Sequence, residues 1–381
     1  MQGLSAMTRA ADPYRAGLEL GTELAAIEPE MVFLATTIGY RDSGEILAGL
    51  RDGAESPDLT IIGNSGDGCY GPQGVGIHGA SALALASGGS VDWQIFQARG
   101  IANDPEQATR DVLDRALAAG EPGFLYLVSD FRTDATLIEG VLREYPEIPI
   151  VGGLAADDDR LRESVLYAND DVVTDGVAVL AAYGPIAAWT RVASDMTPVG
   201  PWGRVDDAED TILRGIDGRH ARDFIEHAIG KPILRSDRAV ICLRLQDPDQ
   251  PGNYRLRSVV PDFAGPEEHI GLFGGIRVGE RVQVCVPDAS QLLAGVQTMA
   301  ETARGDGVQP AAALMVSCAG RKWFLGQQVQ EELTSLQRVF GNDLPVAGFA
   351  SFGEIGPQSC RTGAHANGFH NMSLVLTLIG S

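Results

Sequence analysis

Residues 124–153, FLYLVSDFRTDATLIEGVLREYPEIPIVGG, decide the fold. The run at 124–128 is short and wholly apolar, as a strand covered on both faces requires. Leu137, Val141 and Tyr145 then recur at helical spacing, and a second apolar run at 148–151 breaks into Gly152-Gly153. Upstream, Asp104-Pro105 reads as an N-cap with proline at the first helical position, opening a helix that ends at Gly120. The unit is therefore helix, strand, helix, strand, glycine.

The same order recurs on both sides. In the first copy, Asp12-Pro13 opens a helix with Leu20, Leu24 and Ile27 on one stripe. A strand at 31–37, a helix from Ser43 stopped by Gly53 and a strand at 59–62 lead to Gly63. In the third, a helix from Asp288 carries Leu292, Val296, Met299 and Ala303 up to Gly305. A strand at 312–316, a helix with Val329, Leu333, Leu336 and Phe340 before Gly341, and residues 345–347 lead to Gly348.

Between the second and third copies lie apolar runs at 165–168, 177–182 and 186–192. A Pro/Gly-rich joint follows at 198–203, then a helix at 222–228 and strands at 239–245, 254–260 and 281–286. Residues 371–378 alternate enough for a last strand, begun by His370-Asn371 with side chains on opposite faces. These elements predict a two-lobed α/β protein with mixed β-sheets and helices packed outside, in the manner of an αββα sandwich. The joint is the predicted boundary between lobes.

Length and composition agree. The 381 residues correspond to two or three domains of roughly 150 residues, and 44% hydrophobic with 21% charged residues excludes disorder, coiled coil and collagen. Lys and Arg total 29 against 51 Asp and Glu, a net charge of −22 that argues against nucleic acid and anionic membranes as partners. The first residues form no apolar leader, and the apolar stretch at 177–189 is broken by Gly184-Pro185, short of the ~18 residues of a membrane helix. Cys69, Cys242, Cys285, Cys318 and Cys360 are odd in number and never paired as CxxC, which predicts free thiols and a cytoplasmic location.

The common catalytic signatures are missing. Residues 63–68, GNSGDG, have glycines but neither the lysine of a P-loop nor the spacing of a dinucleotide fingerprint, and GxSxG fails at Asp67. Cys360, His365 and His370 stand five residues apart, and a metal site of two His and one Cys is conceivable, yet nothing places them on one helix. His220 and His227 read as a polar, solvated helix face. Arg321, just past a strand end, fits either an anion or a structural pairing with Glu354 or an aspartate. A lone inward His370 reads as a satisfied core histidine.

Two ordered stretches carry a resemblance. Val151-Gly152-Gly153-Leu154-Ala155-Ala156-Asp157 resembles the GGlAxD signature of the FIST family's N-terminal domain. Gly348-Phe349-Ala350-Ser351-Phe352-Gly353-Glu354-Ile355, followed by His370-Asn371, resembles the GFxxxGEI and HN signatures of its C-terminal domain. Cys318-Ala319-Gly320-Arg321 matches the C-x-x-R stretch, and Arg257 lies in a strand like the family's arginine-bearing one. The chain departs from the family at Gly63-Asn64-Ser65-Gly66-Asp67-Gly68-Cys69, where GCSxxGE is usual.

The likeness implies a FIST N-terminal domain over 28–203 and a FIST C-terminal domain over 204–381. It further implies a cytoplasmic sensory protein, not an enzyme, that binds an amino-acid-like metabolite without a cofactor. Such a protein signals to a separate partner such as a histidine kinase or a cyclic-di-nucleotide enzyme. A haem-based nitric oxide sensor of the same family is the alternative; a hydrolase or transferase using Cys318 or Cys69 is the rival from another class.

The expected ligand residues are Arg321 for a carboxylate, Glu354 for an ammonium, and His370 and Asn371. Gly348, Phe349, Phe352, Gly153, Asp157 and Ser65 line the turns, and Arg257 is the reserve cation. The cleft is expected between the lobes, with the turns at Gly153 and Gly348 approaching one another.

Overall fold

The computed structural model describes residues 1–40, 44–246, 254–261, 265–359 and 365–380. Ser43, the predicted start of one helix, and Cys360 lie outside them.

The threefold repeat of the sequence is a threefold repeat of structure. The first unit runs β1 (Gln2–Thr8), α1 (Pro13–Leu24), β2 (Met31–Thr37), α2 (Glu45–Ala54), β3 (Thr60–Gly66), a hairpin β4 (Cys69–Gly71) and β5 (Gly74–Gly76), and β6 (Ala80–Ala86). The second runs β7 (Asp92–Arg99), α3 (Pro105–Ala119), β8 (Phe124–Ser129), α4 (Ala135–Leu142), β9 (Ile150–Leu154), a hairpin β10 (Leu166–Ala168) and β11 (Asp171–Val173), and β12 (Gly176–Tyr183).

The third unit opens with β13 (Ala187–Ala193) and is then interrupted. The interruption comprises β14 (Thr197–Glu209), β15 (Ile212–Ile216), β16 (Arg219–His220), α5 (Ala221–Ile229), β17 (Cys242–Gln246), β18 (Tyr254–Val260), β19 (Ile270–Phe273) and β20 (Arg281–Val286). It resumes with α6 (Ala289–Gly305), β21 (Ala312–Cys318), α7 (Ala319–Leu325), α8 (Gln330–Phe340), β22 (Val346–Ser351), a hairpin β23 (Glu354–Ser359) and β24 (His365–His370), and β25 (Leu374–Gly380).

Each unit builds a six-stranded sheet of one plan. The orders are β1-β6-β2-β3-β10-β11, β7-β12-β8-β9-β23-β24 and β13-β25-β21-β22-β4-β5. In each, the two strands that flank the unit's second helix pair in parallel. The outermost hairpin always comes from another unit. The first unit gives its hairpin to the third sheet, the second to the first, and the third to the second, so the exchange is cyclic.

Alternation along the strands sets the layers. Phe33, Tyr126 and Leu314 face one core shared by all three sheets, while Leu34, Leu127 and Met315 face each unit's own helices. Helices therefore lie outside, as expected, and the predicted sandwich is extended to three sheets because each repeat supplies one. Asp12, Asp104 and Asp288 cap the three opening helices by accepting from the backbone N–H three residues on.

The interrupting segment is the second lobe. Its strands follow the order β14-β20-β17-β18-β19-β15-β16, and β14 also pairs with β15, so the sheet closes into an antiparallel barrel with its own core around Leu243, Val259 and Phe224. The joint predicted at 198–203 is part of β14, and the register against β20 shifts between Val199 and Gly203. Proline and glycine serve there as the bend that lets one long strand reach both neighbours. The lobes consequently do not divide at 203/204: residues 197–286 form the barrel, and the three glycine turns all belong to the other body.

Other differences are local. The helix after β8 buries Ile138, Val141 and Leu142, while Leu137 is exposed and Tyr145 lies beyond its end. His370 closes β24 and Asn371 sits in the turn before β25, rather than opening a strand. The first strand and helix, ahead of the region that carries the family likeness, complete the first sheet.

The glycine expected to stop each strand lies inside it, since β3, β9 and β22 run on to Gly66, Leu154 and Ser351, and its identity is dictated by space. Gly63, Gly152 and Gly348 stand opposite Leu34, Leu127 and Met315, and a Cβ would lie 2.0, 1.8 and 1.8 Å from the facing carbonyl oxygens. Two residues on, Ser65, Leu154 and Ala350 bond to the crossover of another unit. Ala156 N–H donates to the Ser65 carbonyl (2.8 Å), Phe352 N–H to Leu154 (3.2 Å) and Asp67 N–H to Ala350 (2.8 Å). We predict that Gly348→Ala costs about 2–3 kcal/mol or more in urea unfolding, whereas Gly305→Ala, with open space around it, stabilises by up to ~1 kcal/mol. A Gly348→Ala protein as stable as wild type would contradict the close approach.

Candidate functional site

The turns near Gly153 and Gly348 do meet. A Cβ on Gly153 would lie 2.8 Å from the Gly353 carbonyl and 3.4 Å from Ser351. Their meeting place is interior rather than a cleft. Phe349 packs in the shared core, Ser65 Oγ donates to the Ala156 carbonyl and accepts from Val165 N–H, and Asp157 accepts from the N–H groups of Leu161, Arg162 and Glu163. These polar residues satisfy backbone where chain crosses between sheets.

The zwitterion pocket expected from Arg321 and Glu354 is not assembled. Both are fully buried, but Arg321 pairs with Glu332 (2.7 Å), which also accepts from Tyr70 and Ser317. The reason is local: α7 and α8 are consecutive, so Glu332 reaches Arg321 first. Glu354 accepts from Ser351 and Ser373 hydroxyls. His370 Nε2 lies 3.0 Å from the Gly356 carbonyl, and Asn371 Oδ1 accepts from Ser258 N–H of the barrel at 2.9 Å. The structure thus surrounds these groups with partners from the chain itself.

Two of the expected residues, Arg257 and Phe352, line open space between the lobes, Arg257 as a fully buried side chain beneath it. Arg257 on β18 sends its side chain out of the barrel to Glu139 of α4 (2.5 Å), with Nε on the Gly275 carbonyl (3.1 Å) and Nη1 on Phe369 (3.2 Å). Arg143, one helical turn along from Glu139, pairs with it at 2.9 Å. Burial pushes the Glu139 carboxyl up, but the Arg257 and Arg143 guanidiniums outweigh it and hold the carboxyl down at about 2.

Around this ion pair opens a cleft of about 270 Å³. Asp134, Thr136, Glu139 and Arg143 line it from α4 and its cap, and Asp210, Arg255, Arg257 and Arg277 from the barrel. Arg255 pairs with Glu280, yet its Nε and the Thr136 Oγ are buried without partners among the described residues. A cavity of about 380 Å³ adjoins at Asp134 and Gly274, lined by Phe131, Phe273, Phe352 and Phe369. Sequence reasoning missed Arg255, Arg277, Glu139 and Arg143. The alternation Arg255-Leu256-Arg257 puts both guanidiniums on one strand face and was the available signal.

The rival chemistries fare less well. Burial pushes the Cys69 thiol up to about 12 and raises Cys318 as well, so neither supplies a thiolate near neutral pH. For haem, the residues present do not fit: the His370 ring nitrogen already faces a backbone carbonyl, and among the described residues no histidine lines either interlobe cavity.

Burial also pushes the Glu354 carboxyl up, to about 8, more than its serine hydrogen bonds lower it. Between the ordinary value of 4.5 and about 8, the native chain holds a proton that the unfolded chain has released. Stability is accordingly lost as pH rises through that window, by at most about 1.4 kcal/mol per pH unit. We expect Glu354→Gln, which mimics the neutral acid, to flatten this slope in urea titrations at pH 5, 6.5 and 8. Parallel slopes in the two proteins would refute a protonated Glu354.

Comparisons with known proteins place this architecture. Curated relatives include the uncharacterized protein Mb0898c of Mycobacterium bovis, 25% identical over 242 residues, and the uncharacterized protein Rv0628c of Mycobacterium tuberculosis, 24% identical over 241. Each match covers 60% of this chain and 61% of the relative, so the chain spans under two thirds of their length. Among solved structures, PurLQS from Thermotoga maritima aligns with the whole chain and 72% of its own, at 10% identity and a TM-score of 0.23, which carries no argument. Residues 30–219 match the FIST N domain and residues 209–357 the FIST C domain. The chain belongs to the FIST family of sensory domains.

Proposed function

We propose that the protein is a cytoplasmic sensor that binds a small, carboxylate-bearing, amino-acid-like metabolite in the cleft between α4 and the barrel. The observation that carries this reading is the charge reversal there. In a chain of net charge −22, the guanidiniums of Arg143, Arg255, Arg257 and Arg277 gather around one interlobe cleft. Arginine meets a carboxylate with two parallel hydrogen bonds. Asp134 and Asp210, on the same walls, offer acceptors for an ammonium. The unpartnered Thr136 Oγ and Arg255 Nε supply further polar groups at that place.

A ligand at this position touches both lobes, so its binding energy favours one placement of the barrel against α4 over others. That is how occupancy would be read by a separate partner. The partner classes belonging to this reading are a histidine kinase or a cyclic-di-nucleotide enzyme, as the family likeness implies. No helix among the described residues is long and apolar enough to cross a membrane, which is compatible with the cytoplasmic assignment.

Arg277 is the residue to test, because it is exposed and no ion pair holds it among the described residues. In a thermal-shift and calorimetric screen of L-amino acids against their carboxamides, the acids should bind and the amides should not. Arg277→Gln should weaken binding by one to two decades, since a charge-assisted contact is worth about 1.5–3 kcal/mol, and should leave the melting temperature unchanged. Equal binding of acid and amide, or full affinity in Arg277→Gln, would refute the site.

A further inference from the structure

Resting on the carboxylate site just described, we infer that the ligand has a second, apolar part carrying a ring, and that this ring enters the cavity adjoining the arginine-lined cleft. The cavity of about 380 Å³ is walled by Phe131, Phe273, Phe352, Phe369, Leu154 and Leu272. Phe131 and Phe352 meet edge to face with centroids 5.1 Å apart, the arrangement by which aromatic rings prefer to pack. Aromatic residues are 6% of the chain, yet four rings from four separate segments converge here. Phe131, Phe273 and Phe352 are each half-buried. An apolar cavity of roughly 150 Å³ suffices for benzene, so a ring has room.

The two spaces are close enough for one small molecule. The Arg257 guanidinium carbon lies 5.8 Å from the centre of the Phe369 ring, and Arg257 lines the cleft while Phe369 lines the cavity. At the junction stand Gly274 and Gly275. A Cβ on Gly274 would come 2.8 Å from Arg257 Nε, and one on Gly275 would come 2.7 Å from Thr136. Glycine at both positions makes room for the Arg257 and Thr136 side chains that wall the junction, and Asp134 lines both spaces. A carboxylate joined to a ring through two or three atoms spans this arrangement, which describes an aromatic amino acid or its close analogue.

The test titrates three probes into the full chain by calorimetry: L-phenylalanine, L-alanine and L-phenylalaninamide, which lacks the carboxylate. L-phenylalanine should bind ten- to a hundredfold more tightly than L-alanine, the gain expected from burying a ring. Thr211→Phe, which places a ring in the cavity from its rim, should abolish that advantage and leave L-alanine binding as it was. The ligand series on the wild-type chain stands whether or not this variant folds.

Equal binding of the two amino acids overturns the aromatic inference while sparing the carboxylate reading, as does an advantage that survives in folded Thr211→Phe. If L-phenylalaninamide binds as tightly as L-phenylalanine, the carboxylate reading fails and the aromatic cavity stands. Binding of none of the three probes overturns both.

Discussion

The three backbone exchanges at Ser65, Leu154 and Ala350 hold the molecule closed. At each, the end of a strand still paired in its own sheet bonds to the crossover of a neighbouring unit, and from there the following hairpin completes the neighbour's sheet. Peptide groups inside such a crossing have no water to turn to, and each unpaired one would cost as much as a lost hydrogen bond. The polar residues around them follow from this. Asp157 takes three N–H groups of the loop beyond it, and Ser65 serves both directions of one crossing.

The family signatures acquire a physical meaning on this basis. Glycine opens them because a facing carbonyl lies within 2 Å of where a Cβ would be. The acid that follows, Asp157 in one and Glu354 in the other, sits buried among donors. Arg257 differs, because its partner Glu139 lies 118 residues away in the other lobe. Removing either member of such a buried pair would leave a charge without compensation, at a cost of about 3–5 kcal/mol. That pair therefore fixes where the barrel rests.

Much of this was legible in the sequence. The Asp-capped helix starts, the fully apolar strands and the recurring glycines each carry a local physical signal, and together they gave three repeats in the right places, although each strand runs on past the glycine expected to end it. The exchange of the hairpins was not legible: the run at 165–168 marked β10, but β4, β5 and β11 are three residues long with little pattern, and the pairing partners of all three hairpins lie in other units. The joint at 198–203 misled for a similar reason: proline and glycine mark both a linker and a bent strand. At the site, Arg257 could be singled out from its strand. Glu139 could not, since an acid on a helix face looks solvated until the other lobe is placed over it. Arg321 was read with Glu354, and the structure gives it Glu332.

The position of the barrel within the repeat has its own consequence. In the first and second units, a short link joins the opening strand to the first helix, and in the third unit the barrel occupies that same link. A body of three alike units alone would offer three alike outer faces. The insertion breaks that symmetry: the barrel lies against α4 of the second unit and packs Cys242, Leu256 and Cys285 into the helix layer of the third. The arginine-lined cleft is thereby set over α4, one of three related helices. The proposed ligand would accordingly bind there once per chain, so that internal repetition brings no multivalency.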